Sequence, residues 1–470
     1  MKMTRRDVFS VAASAAWLSQ VTGRHALAAD AKPGLMIQSV RPADYEMTLA
    51  GFRDWITPME HFFVRSHHYT PSVQINDWSL KIEGLVGSPA TLKLDDLKKL
   101  PRVSYVAVLE CAGNGRAFYE PHIPGMQWKY GGVGNARWSG VRLADVLKNA
   151  GIKDSAKEIL FDGEDVPIGT MPKFQRTVPV AKALHPDTML AFEMNGQPIT
   201  MDHGFPLRLI VPGWAGDSWV KWVKRIDVLD HDFEGFFMKT AYRHPTKPVA
   251  PGTAVPPAEM TPVTDINVKS VIASPAGNWA APGLVKISGA AWSNGSEIAA
   301  VDVSTDGGKT WKPAHLGKDK SKYAWRLWSL NWKAPEGKYS ILARAKDAAG
   351  NVQPMEQQWN PSGYSWNVSA PQELVVSHSE QGPIVATAMP VGDHPPGYKT
   401  ACLTCHEEDL MRMQKLNPAQ WDREVQKMVG WGAEIKPENK DAILSYLKAN
   451  FKPYRKRSYP PKTVRWKWEP

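Results

Sequence analysis

Three cysteines are the residues best suited to redox or metal chemistry in this chain of 470 residues, and they fall into two groups. Cys402 and Cys405 belong to the stretch Cys-Leu-Thr-Cys-His, which ends at His406, whereas Cys111 stands alone. The Cys-x-x-Cys-His pattern is typical of c-type haem attachment, in which two thiols bind the porphyrin and the histidine ligates its iron. A zinc site would need more ligands nearby, and a redox dithiol would not need the histidine. The pattern therefore predicts one covalently bound haem c.

The residues that follow this motif predict short helices that pack around the haem. Trp421, Val425 and Met428 lie on one face of a predicted helix, and Pro418 suits its first turn. Ile443, Tyr446 and Leu447 face inward from a last predicted helix. Short helices bury little surface alone, so the haem must supply much of the core. Residues 395–455 thus resemble a small, all-α monohaem cytochrome c.

Met428 is the predicted second axial ligand of the haem iron, because methionine is common at that position and raises the reduction potential. Met411 and Met413 are rival candidates, but they follow the attachment motif so closely that they cannot easily cross the haem. The alternative is that Met428 only fills the core as a flexible apolar side chain.

Cys111 lies among small residues in the stretch VAVLECAGNGRAFY, residues 106–119. A solitary cysteine is more often a buried apolar residue than a ligand. Here Gly113 and Gly115 let the backbone approach another group closely, and Arg116 is a bidentate donor for oxyanions. Other cationic candidates in the first half of the chain are Arg65, His67, His203, Arg208 and Lys221. Together with one thiolate, these side chains predict a soft metal ligand beside an anion pocket.

Residues 30–370 resemble the sulfite oxidase family of molybdenum enzymes. The resemblance rests on the segments HFFVRSHH, LECAGNGR, GNARWSGVRLADVL, DHGFPLRLIVPG, VKW, TAYRHP, STDGGKTW and NVQP. It implies a molybdenum–molybdopterin cofactor with Cys111 as the one protein thiolate. It also implies that Arg65 and Arg116 hold an oxyanion and that Tyr242 is the active-site tyrosine. The positions that match pterin and phosphate contacts are His67, His203, Arg208 and Lys221.

One segment departs from the family pattern. Sulfite oxidases carry a further pocket arginine in a Trp-Asn-x-Arg-Gly segment, whereas this chain has Ser362 at that position, in QWNPSGYSWN. A pocket with one guanidinium fewer should hold a doubly charged product less firmly. This feature and the stretch 216–245 resemble the bacterial sulfane dehydrogenase branch, so carrier-bound sulfur is an alternative substrate.

Composition and pattern divide the chain into several domains. The resemblance implies a mixed α+β molybdopterin domain over residues 30–250 and a dimerisation domain over 251–370. Alternation around Asp306-Gly307-Gly308 predicts an immunoglobulin-like β-sandwich for the second domain. The Pro-rich stretch 244–262 is predicted to be an extended crossing between these domains, and 371–394 a linker to the cytochrome domain.

The first residues of the chain indicate its compartment. Residues 1–29 resemble a twin-arginine signal peptide, with Arg5 and Arg6, a short apolar run and a small-residue cleavage site near Ala28. No run reaches the ~20 apolar residues of a spanning helix. We therefore expect export to the periplasm without a membrane anchor. Residues 456–470 are predicted to be a basic tail.

Together these features predict a periplasmic sulfite dehydrogenase that passes electrons from molybdenum through its own haem to an external cytochrome. A net charge of +10 fits an anionic substrate or an acidic protein partner. Nucleic acid is not expected, because no binding motif is present. The alternatives are a sulfane dehydrogenase of a thiosulfate-oxidising system, and a reductase or electron-transfer module. The second domain implies a homodimer.

Overall fold

The computed structural model describes residues 34–379 and 393–453. The predicted signal peptide, most of the predicted linker and the basic tail lie outside these residues. Within the described ranges, no helix is both long enough and apolar enough to cross a membrane.

The first region, residues 34–262, is mostly β-sheet with short helices, in line with the predicted mixed α+β domain. Its strands are β1 (Leu35–Ser39), β2 (Asp44–Met47), β3 (Val64–Arg65), β4 (Leu80–Gly84), β5 (Ala90–Leu92), β6 (Arg102–Glu110), β7 (Val133–Arg142), β8 (Glu158–Gly163), β9 (Gln175–Pro179), β10 (Met189–Met194), β11 (Gln197–Pro198), β12 (Arg208–Ile210), β13 (Val223–Leu229), β14 (Arg243–Pro245) and β15 (Met260–Pro262). Its α-helices are α1 (Leu94–Lys98), α2 (Leu143–Asn149), α3 (Val180–Ala183) and α4 (Phe236–Lys239).

Two five-stranded sheets support the chemistry of this region. One has the order β11-β10-β7-β6 with β12 paired to β10, and the other has the order β5-β4-β13-β8-β9. β1, β2 and β3 form a separate antiparallel sheet that ends at Arg65. β6 pairs with β7 along its whole length, up to Glu110 opposite Val133. Cys111 therefore directly follows the last residue of a fully paired strand.

The Pro-rich crossing folds back on itself rather than remaining simply extended. β14 and β15, near its two ends, pair antiparallel from Arg243 with Pro262 to Pro245 with Met260. The amide of Val263 also donates to the carbonyl of Tyr242 at 2.8 Å. This fold-back places Tyr242 beside the start of the second domain.

The second domain is a two-sheet β-sandwich, as the alternating pattern predicts. Its strands are β16 (Lys269–Ser274), β17 (Trp279–Ala280), β18 (Gly283–Trp292), β19 (Ile298–Ser304), β20 (Lys312–Pro313), β21 (His315–Leu316), β22 (Arg326–Ala334), β23 (Gly337–Asp347) and β24 (Gln372–Val376). The sheets have the orders β16-β18-β22-β21 and β17-β24-β23-β19-β20. The turn at 306–308 joins β19 to β20, which pair as the predicted hairpin. β24 lies beyond the predicted boundary at 370 and belongs to the sandwich.

An apolar cluster joins the first region to the sandwich. Phe52 of the first region stacks on Trp292 at 6.2 Å between ring centroids and lies 5.4 Å from the ring of Trp325. Tyr242 and Val263, on either side of the crossing, are buried in the same cluster. The two domains therefore share part of one core.

The described C-terminal residues fold into a separate helical domain. Its helices are α5 (Tyr398–Cys402), α6 (Glu408–Gln414), α7 (Pro418–Gly430) and α8 (Pro437–Asn450). Helix α7 begins as predicted, with Pro418 in its first turn and the Asn417 side chain accepting a hydrogen bond from the Gln420 amide. The predicted inward-facing residues that are buried are Trp421, Val425, Ile443, Tyr446 and Leu447. Helical periodicity therefore identifies the core of this domain correctly.

The helical domain contacts the first region through hydrogen bonds that we call the docking face. Arg41 Nη2 donates to the Leu403 carbonyl at 3.5 Å, and the Tyr69 hydroxyl donates to the Cys405 carbonyl at 3.3 Å. At the far end, the Thr170 amide donates to the Trp431 carbonyl at 3.2 Å. These contacts place the predicted haem-attachment motif beside the first region.

Candidate active site

One cavity of the first region, the inner cavity, is lined by seven of the predicted site residues. They come from segments that are distant in sequence, namely Arg65, His67, Cys111, His203, Arg208, Lys221 and Tyr242. Arg65 ends β3, Cys111 follows β6 and Arg208 begins β12. The ends of three strands, from two sheets, thus bring the predicted metal ligand and the predicted cations together.

Cys111 is buried in surroundings that favour a thiolate once a metal binds. Burial raises the pKa of its thiol, while Arg65, the Gly113 amide and Arg116 act in the opposite direction. A bound metal ion displaces the proton of a coordinating thiol. The nearby positive charge and the amide donor then stabilise the resulting sulfur anion.

A buried ion pair across the domain boundary holds the segment that carries Cys111. Glu110 Oε1 lies 2.5 Å from Lys269 Nζ, and both side chains are almost completely buried. Glu110 also accepts hydrogen bonds from Asn114 Nδ2 at 2.9 Å and from Trp292 Nε1 at 2.8 Å. Lys269 and Trp292 belong to the sandwich, so the second domain helps to fix the position of the thiol. No pattern in the sequence indicates this pairing.

The far end of the inner cavity is lined by three basic side chains, Arg208, Lys221 and His203. Burial lowers the pKa of Arg208 to about 9. Burial, and then the charge of Arg208, lower the pKa of Lys221 to about 7 and that of His203 to about 3. Arg208 Nη1 donates to the His203 carbonyl at 2.7 Å, but its Nε has no hydrogen-bond partner among the described residues. A buried cation with an unused donor needs an anion, and a phosphate group fits this end of the cavity.

Asp165 is a cavity residue that the sequence analysis missed. Its carboxylate is buried, Oδ2 has no hydrogen-bond partner in the described structure, and burial raises its pKa to about 6. An unused acceptor in the cavity wall suits the N–H edge of a heterocycle. The stretch FDGEDV contains three acidic residues, and no spacing distinguishes Asp165 from the others.

These residues fit a molybdopterin cofactor. One thiolate, buried cations and an unused carboxylate match a metal, a phosphate and a pterin ring, respectively. The described residues contain no group of three or more His, Cys, Asp or Glu side chains that could hold a metal ion. A metal at Cys111 must therefore take its remaining ligands from a cofactor.

Tyr242 and His67 form a neutral hydrogen-bonded pair in the wall of the inner cavity. The Tyr242 hydroxyl lies 2.7 Å from His67 Nε2. Burial, with the charge of Arg65, holds the pKa of His67 well below its ordinary value, and burial raises the pKa of Tyr242 well above its own. Tyr242 also has a left-handed backbone, with φ of 56°, which is uncommon for a tyrosine. The pair therefore stays neutral, with the phenol protonated and the imidazole uncharged.

The two predicted oxyanion arginines lie in different surroundings. Arg65 Nη1 is 3.0 Å from both carboxylate oxygens of the buried Asp44 and donates to the Ser66 carbonyl at 2.6 Å. The charge of Arg65 is thus partly balanced by Asp44. Arg116 does not line the inner cavity, and no described carboxylate forms an ion pair with it. Arg116 is the stronger attractor for an anion.

Arg116 is held by backbone carbonyls and by small residues. Its Nη1 donates to the Met126 carbonyl at 3.1 Å and its Nη2 to the Ser362 carbonyl at 3.3 Å. The guanidinium lies 4.9 Å from the ring centroid of Tyr364. A Cβ atom at any of three glycines would come within 2.9 Å of the Arg116 side chain, at Gly113, Gly125 and Gly363. Only hydrogen atoms at these positions leave room for the arginine.

A second, larger cavity of about 410 Å³, the outer cavity, adjoins the inner one. On the first region it is lined by Arg65, Cys111, Arg116 and Tyr242. On the helical domain it is lined by Cys402, Cys405, His406, Met411 and Met428. The predicted molybdenum ligand and the predicted haem-attachment residues therefore border one continuous space.

The helical wall of the outer cavity fits a haem. Its other residues are largely apolar, among them Trp421, Val425, Ile435 and Leu447. Burial lowers the pKa of His406 and so keeps the imidazole neutral, which is the form that ligates iron.

Trp128, also missed by the sequence analysis, lines the outer cavity near Arg116. It is fully buried, and its indole Nε1 has no hydrogen-bond partner among the described residues. A buried, unused N–H donor beside an arginine suits an oxyanion. The chain contains 20 tryptophans, and the sequence alone does not single this one out.

The structure separates the three methionine candidates. Met413 packs against the core of the first region and does not line the outer cavity. The sulfur of Met411 accepts a hydrogen bond from the Tyr398 hydroxyl at 3.4 Å. Met428 lies in the cavity wall with His406. Met428 stays the predicted ligand.

We expect the Met428→Ala substitution to remove the sulfur–iron charge-transfer band of the oxidised haem and to lower its reduction potential, because the sixth ligand is lost. Absorption spectroscopy and a redox titration measure both effects. Met413→Ala is the matched control and should leave the band intact. Survival of the band in Met428→Ala, with its loss in Met411→Ala, would assign the ligand to Met411.

Comparison with known proteins identifies the first region and the sandwich. A family model described as an oxidoreductase molybdopterin binding domain matches residues 67–237, and one described as a Mo-co oxidoreductase dimerisation domain matches 260–369. The solved sulfane dehydrogenase SoxCD from Paracoccus pantotrophus superimposes with a TM-score of 0.62 and 29% identity, over 71% of this chain and 84% of that one.

Two curated relatives extend this comparison. The chain is 36% identical to mitochondrial sulfite oxidase of Drosophila melanogaster over 368 residues, which is 73% of this chain but only 62% of that protein. It therefore spans less than two thirds of the animal enzyme. It is 31% identical to sulfite oxidase of Arabidopsis thaliana over 367 residues, 71% of this chain and 93% of that protein. With a relative matched over nearly its whole length and two successive family models in place, this chain belongs to the sulfite oxidase family.

Proposed function

We propose that this protein is a sulfite dehydrogenase that oxidises sulfite to sulfate at a molybdenum centre and passes the electrons through its own c-type haem. The observation that carries this proposal is the outer cavity. One wall contains Cys111 with Arg65 and Arg116, and the opposite wall contains the haem-attachment motif around His406. An electron leaving the first wall has only this space to cross before it reaches the second.

The overall reaction takes one sulfite and one water and gives one sulfate, two protons and two electrons. When bound, the molybdenum cofactor supplies oxygen-atom transfer and two-electron redox chemistry. A haem accepts one electron at a time, so each turnover delivers two electrons in two steps to an external acceptor. A cytochrome outside the cytoplasm is the proposed acceptor.

The residues of the first wall bind and orient the anion. Arg116 contributes an unbalanced positive charge and Arg65 a partly balanced one, and Trp128 adds an N–H donor. Held between these groups, the substrate faces the Cys111 side of the cavity. The Tyr242 hydroxyl and the neutral His67 imidazole stand next to this space, where they can donate a hydrogen bond to the anion while the released protons pass to water.

Assembly and location form part of the same proposal. The match to a dimerisation domain supports a homodimer built through the sandwich. The twin-arginine pattern at residues 1–29 supports export of a folded, molybdopterin-loaded protein to the periplasm, where c-type haem is attached.

Anaerobic stopped-flow mixing of the oxidised protein with sulfite tests the proposed function. We expect the haem absorption to change to that of the reduced state within the first turnover, with sulfate formed in proportion. A haem that stays oxidised with sulfite but is reduced by dithionite would contradict the proposal.

A sulfane dehydrogenase acting on carrier-bound sulfur is the second candidate. Two observations favour it, namely Ser362 at the position of the family arginine and the structural similarity to the Paracoccus sulfane dehydrogenase. Slow haem reduction by sulfite, together with fast reduction by a persulfide-bearing protein, would support this candidate instead.

The Ser362→Arg substitution is expected to lower the apparent KM for sulfite by roughly one to two decades. Ser362 lines the outer cavity next to Arg116, and a charge-assisted hydrogen bond contributes about 1.5–3 kcal/mol. Inhibition by sulfate should strengthen in parallel, because the product carries the same charge pattern. Steady-state kinetics measure both constants. The uncharged Ser362→Gln variant is the control for bulk, and equal KM values in the two variants would show that the added charge does not reach the substrate.

A further inference from the structure

We propose that Gln414, in the helical domain, is a positioning residue for Arg116, so that docking of the helical domain organises the anion site of the first region. This inference rests on the proposed function of the outer cavity. It gives the helical domain a role in substrate binding in addition to its proposed role in electron transfer.

Gln414 makes paired hydrogen bonds across the interface. It is the last residue of α6, and its side chain is buried. Its Oε1 accepts from the Gly125 amide at 2.9 Å, and its Nε2 donates to the Gly125 carbonyl at 3.2 Å. The same Nε2 donates to the Leu410 carbonyl of its own helix at 3.1 Å. One side chain therefore fixes both polar atoms of Gly125 relative to α6.

Gly125 is directly attached to the residue that holds Arg116. The Met126 carbonyl accepts from Arg116 Nη1, and a Cβ atom on Gly125 would lie 2.9 Å from that same nitrogen. Gly125 has φ of +117°, a conformation that favours glycine. Glycine has no side chain that could help to fix the orientation of its peptide groups. Contacts from other residues therefore orient this peptide, and Gln414 supplies two of them.

A second contact within the first region shows that the loop is clamped from two sides. Gln127 Nε2 donates to the Gly125 carbonyl at 2.7 Å and to the Ile123 carbonyl at 2.9 Å. The Gly125 amide, by contrast, donates to Gln414. When the helical domain is absent from the interface, the internal clamp remains but the amide loses its partner. The segment that carries the Met126 carbonyl is then held by one of its two clamps only.

The expected consequence concerns binding more than electron transfer. A guanidinium displaced by a fraction of an ångström makes poorer hydrogen bonds to an anion, because their strength depends steeply on geometry. The haem ligands are not touched by Gln414. Loss of its hydrogen bonds should therefore weaken sulfite and sulfate binding, while electron transfer at saturating sulfite changes little.

The test compares Gln414→Met with Tyr69→Phe in the full-length protein carrying both cofactors. Gln414→Met keeps the length and apolar bulk of the side chain but loses its hydrogen bonds to Gly125. Tyr69→Phe removes another hydrogen bond of the docking face, to the Cys405 carbonyl, with no contact to the Arg116 loop. We expect roughly a tenfold rise in KM for sulfite and in the sulfate inhibition constant for Gln414→Met only. The haem spectrum and the haem reduction rate at saturating sulfite should match those of the wild type.

Hydrogen–deuterium exchange supplies a readout that does not depend on turnover. The peptide containing residues 123–127 should exchange faster in Gln414→Met than in Tyr69→Phe or the wild type, because the Gly125 amide loses its acceptor. Faster exchange with unchanged sulfite KM and sulfate inhibition would overturn the proposal, as would equal effects of the two variants.

Failure of the proposed function gives a different result from failure of this inference. If sulfite does not reduce the haem of the wild type, the assigned reaction is wrong. Sulfate binding measured by calorimetry then tests the positioning role alone. Sulfate affinity that is the same in Gln414→Met and in the wild type would overturn the inference in that case as well.

Discussion

The Cys111→Ser variant is expected to fold, to carry a normal haem and to lose sulfite-dependent haem reduction down to background. A serine hydroxyl is a hard oxygen ligand with a high pKa, and it cannot replace a soft thiolate at the metal. The surroundings sharpen this expectation, since the charges and the amide that stabilise the Cys111 anion have no thiolate to act on. Stopped-flow absorption with sulfite, alongside metal analysis, measures the effect.

The double variant Cys402→Ser/Cys405→Ser is the complementary control. It should lose the covalent haem but keep molybdenum and molybdopterin, so that sulfite oxidation at saturating sulfite continues with an artificial acceptor that reaches the first region. Sulfite-dependent haem reduction at the wild-type rate in molybdenum-loaded Cys111→Ser protein would remove Cys111 from the metal site.

The Lys269→Met substitution is expected to have the largest effect on stability. It leaves the buried Glu110 carboxylate without its cation, and removing one partner of a buried ion pair costs about 3–5 kcal/mol. The first region and the sandwich share a core, so the loss should appear in the unfolding of both. Denaturant unfolding followed by tryptophan fluorescence measures it.

Two further variants separate the charge effect from a general effect of mutation. Replacing both partners, in Glu110→Met/Lys269→Met, should be less destabilising than Lys269→Met alone, because no unpaired charge remains. Lys99→Met removes an ion pair with Asp96 on the surface and should leave the denaturant concentration at the midpoint of unfolding unchanged. A midpoint for Lys269→Met equal to that of Lys99→Met would show that the buried pair does not stabilise the protein.

Sequence reasoning identified the cavity residues that are carried by long, distinctive segments. Cys111, Arg65 and Arg208 belong to the segments LECAGNGR, HFFVRSHH and DHGFPLRLIVPG, which resemble segments of the sulfite oxidase family. The strand ends bring these segments together at the inner cavity. Strand alternation predicted the sandwich, and helical periodicity predicted the buried faces of α7 and α8. The pattern of apolar residues along a helix or strand indicates which of its sides is buried, so these features could be predicted from the sequence.

Features that depend on contacts between segments distant in the sequence could not be predicted in this way. Asp165 and Trp128 differ from the other acids and tryptophans only in being buried with an unused polar atom, and this appears only in the folded chain. The Glu110–Lys269 pair joins residues 159 positions apart in the sequence. The Pro-rich crossing was predicted to be extended, yet its ends pair, because proline restricts local geometry without deciding where the chain goes next.

The docking face has a consequence for how this fused architecture can diverge. Arg41, Tyr69 and Gln420 each donate to a backbone carbonyl on the other side, and Gln414 bonds both backbone atoms of Gly125. A carbonyl is present whatever side chain its residue carries, so these hydrogen bonds do not require a matched pair of side chains, unlike the exposed ion pair between Arg41 and Glu407 in the same interface. We therefore expect homologues with the same three-part architecture to retain hydrogen-bond donors at positions 41, 69 and 414.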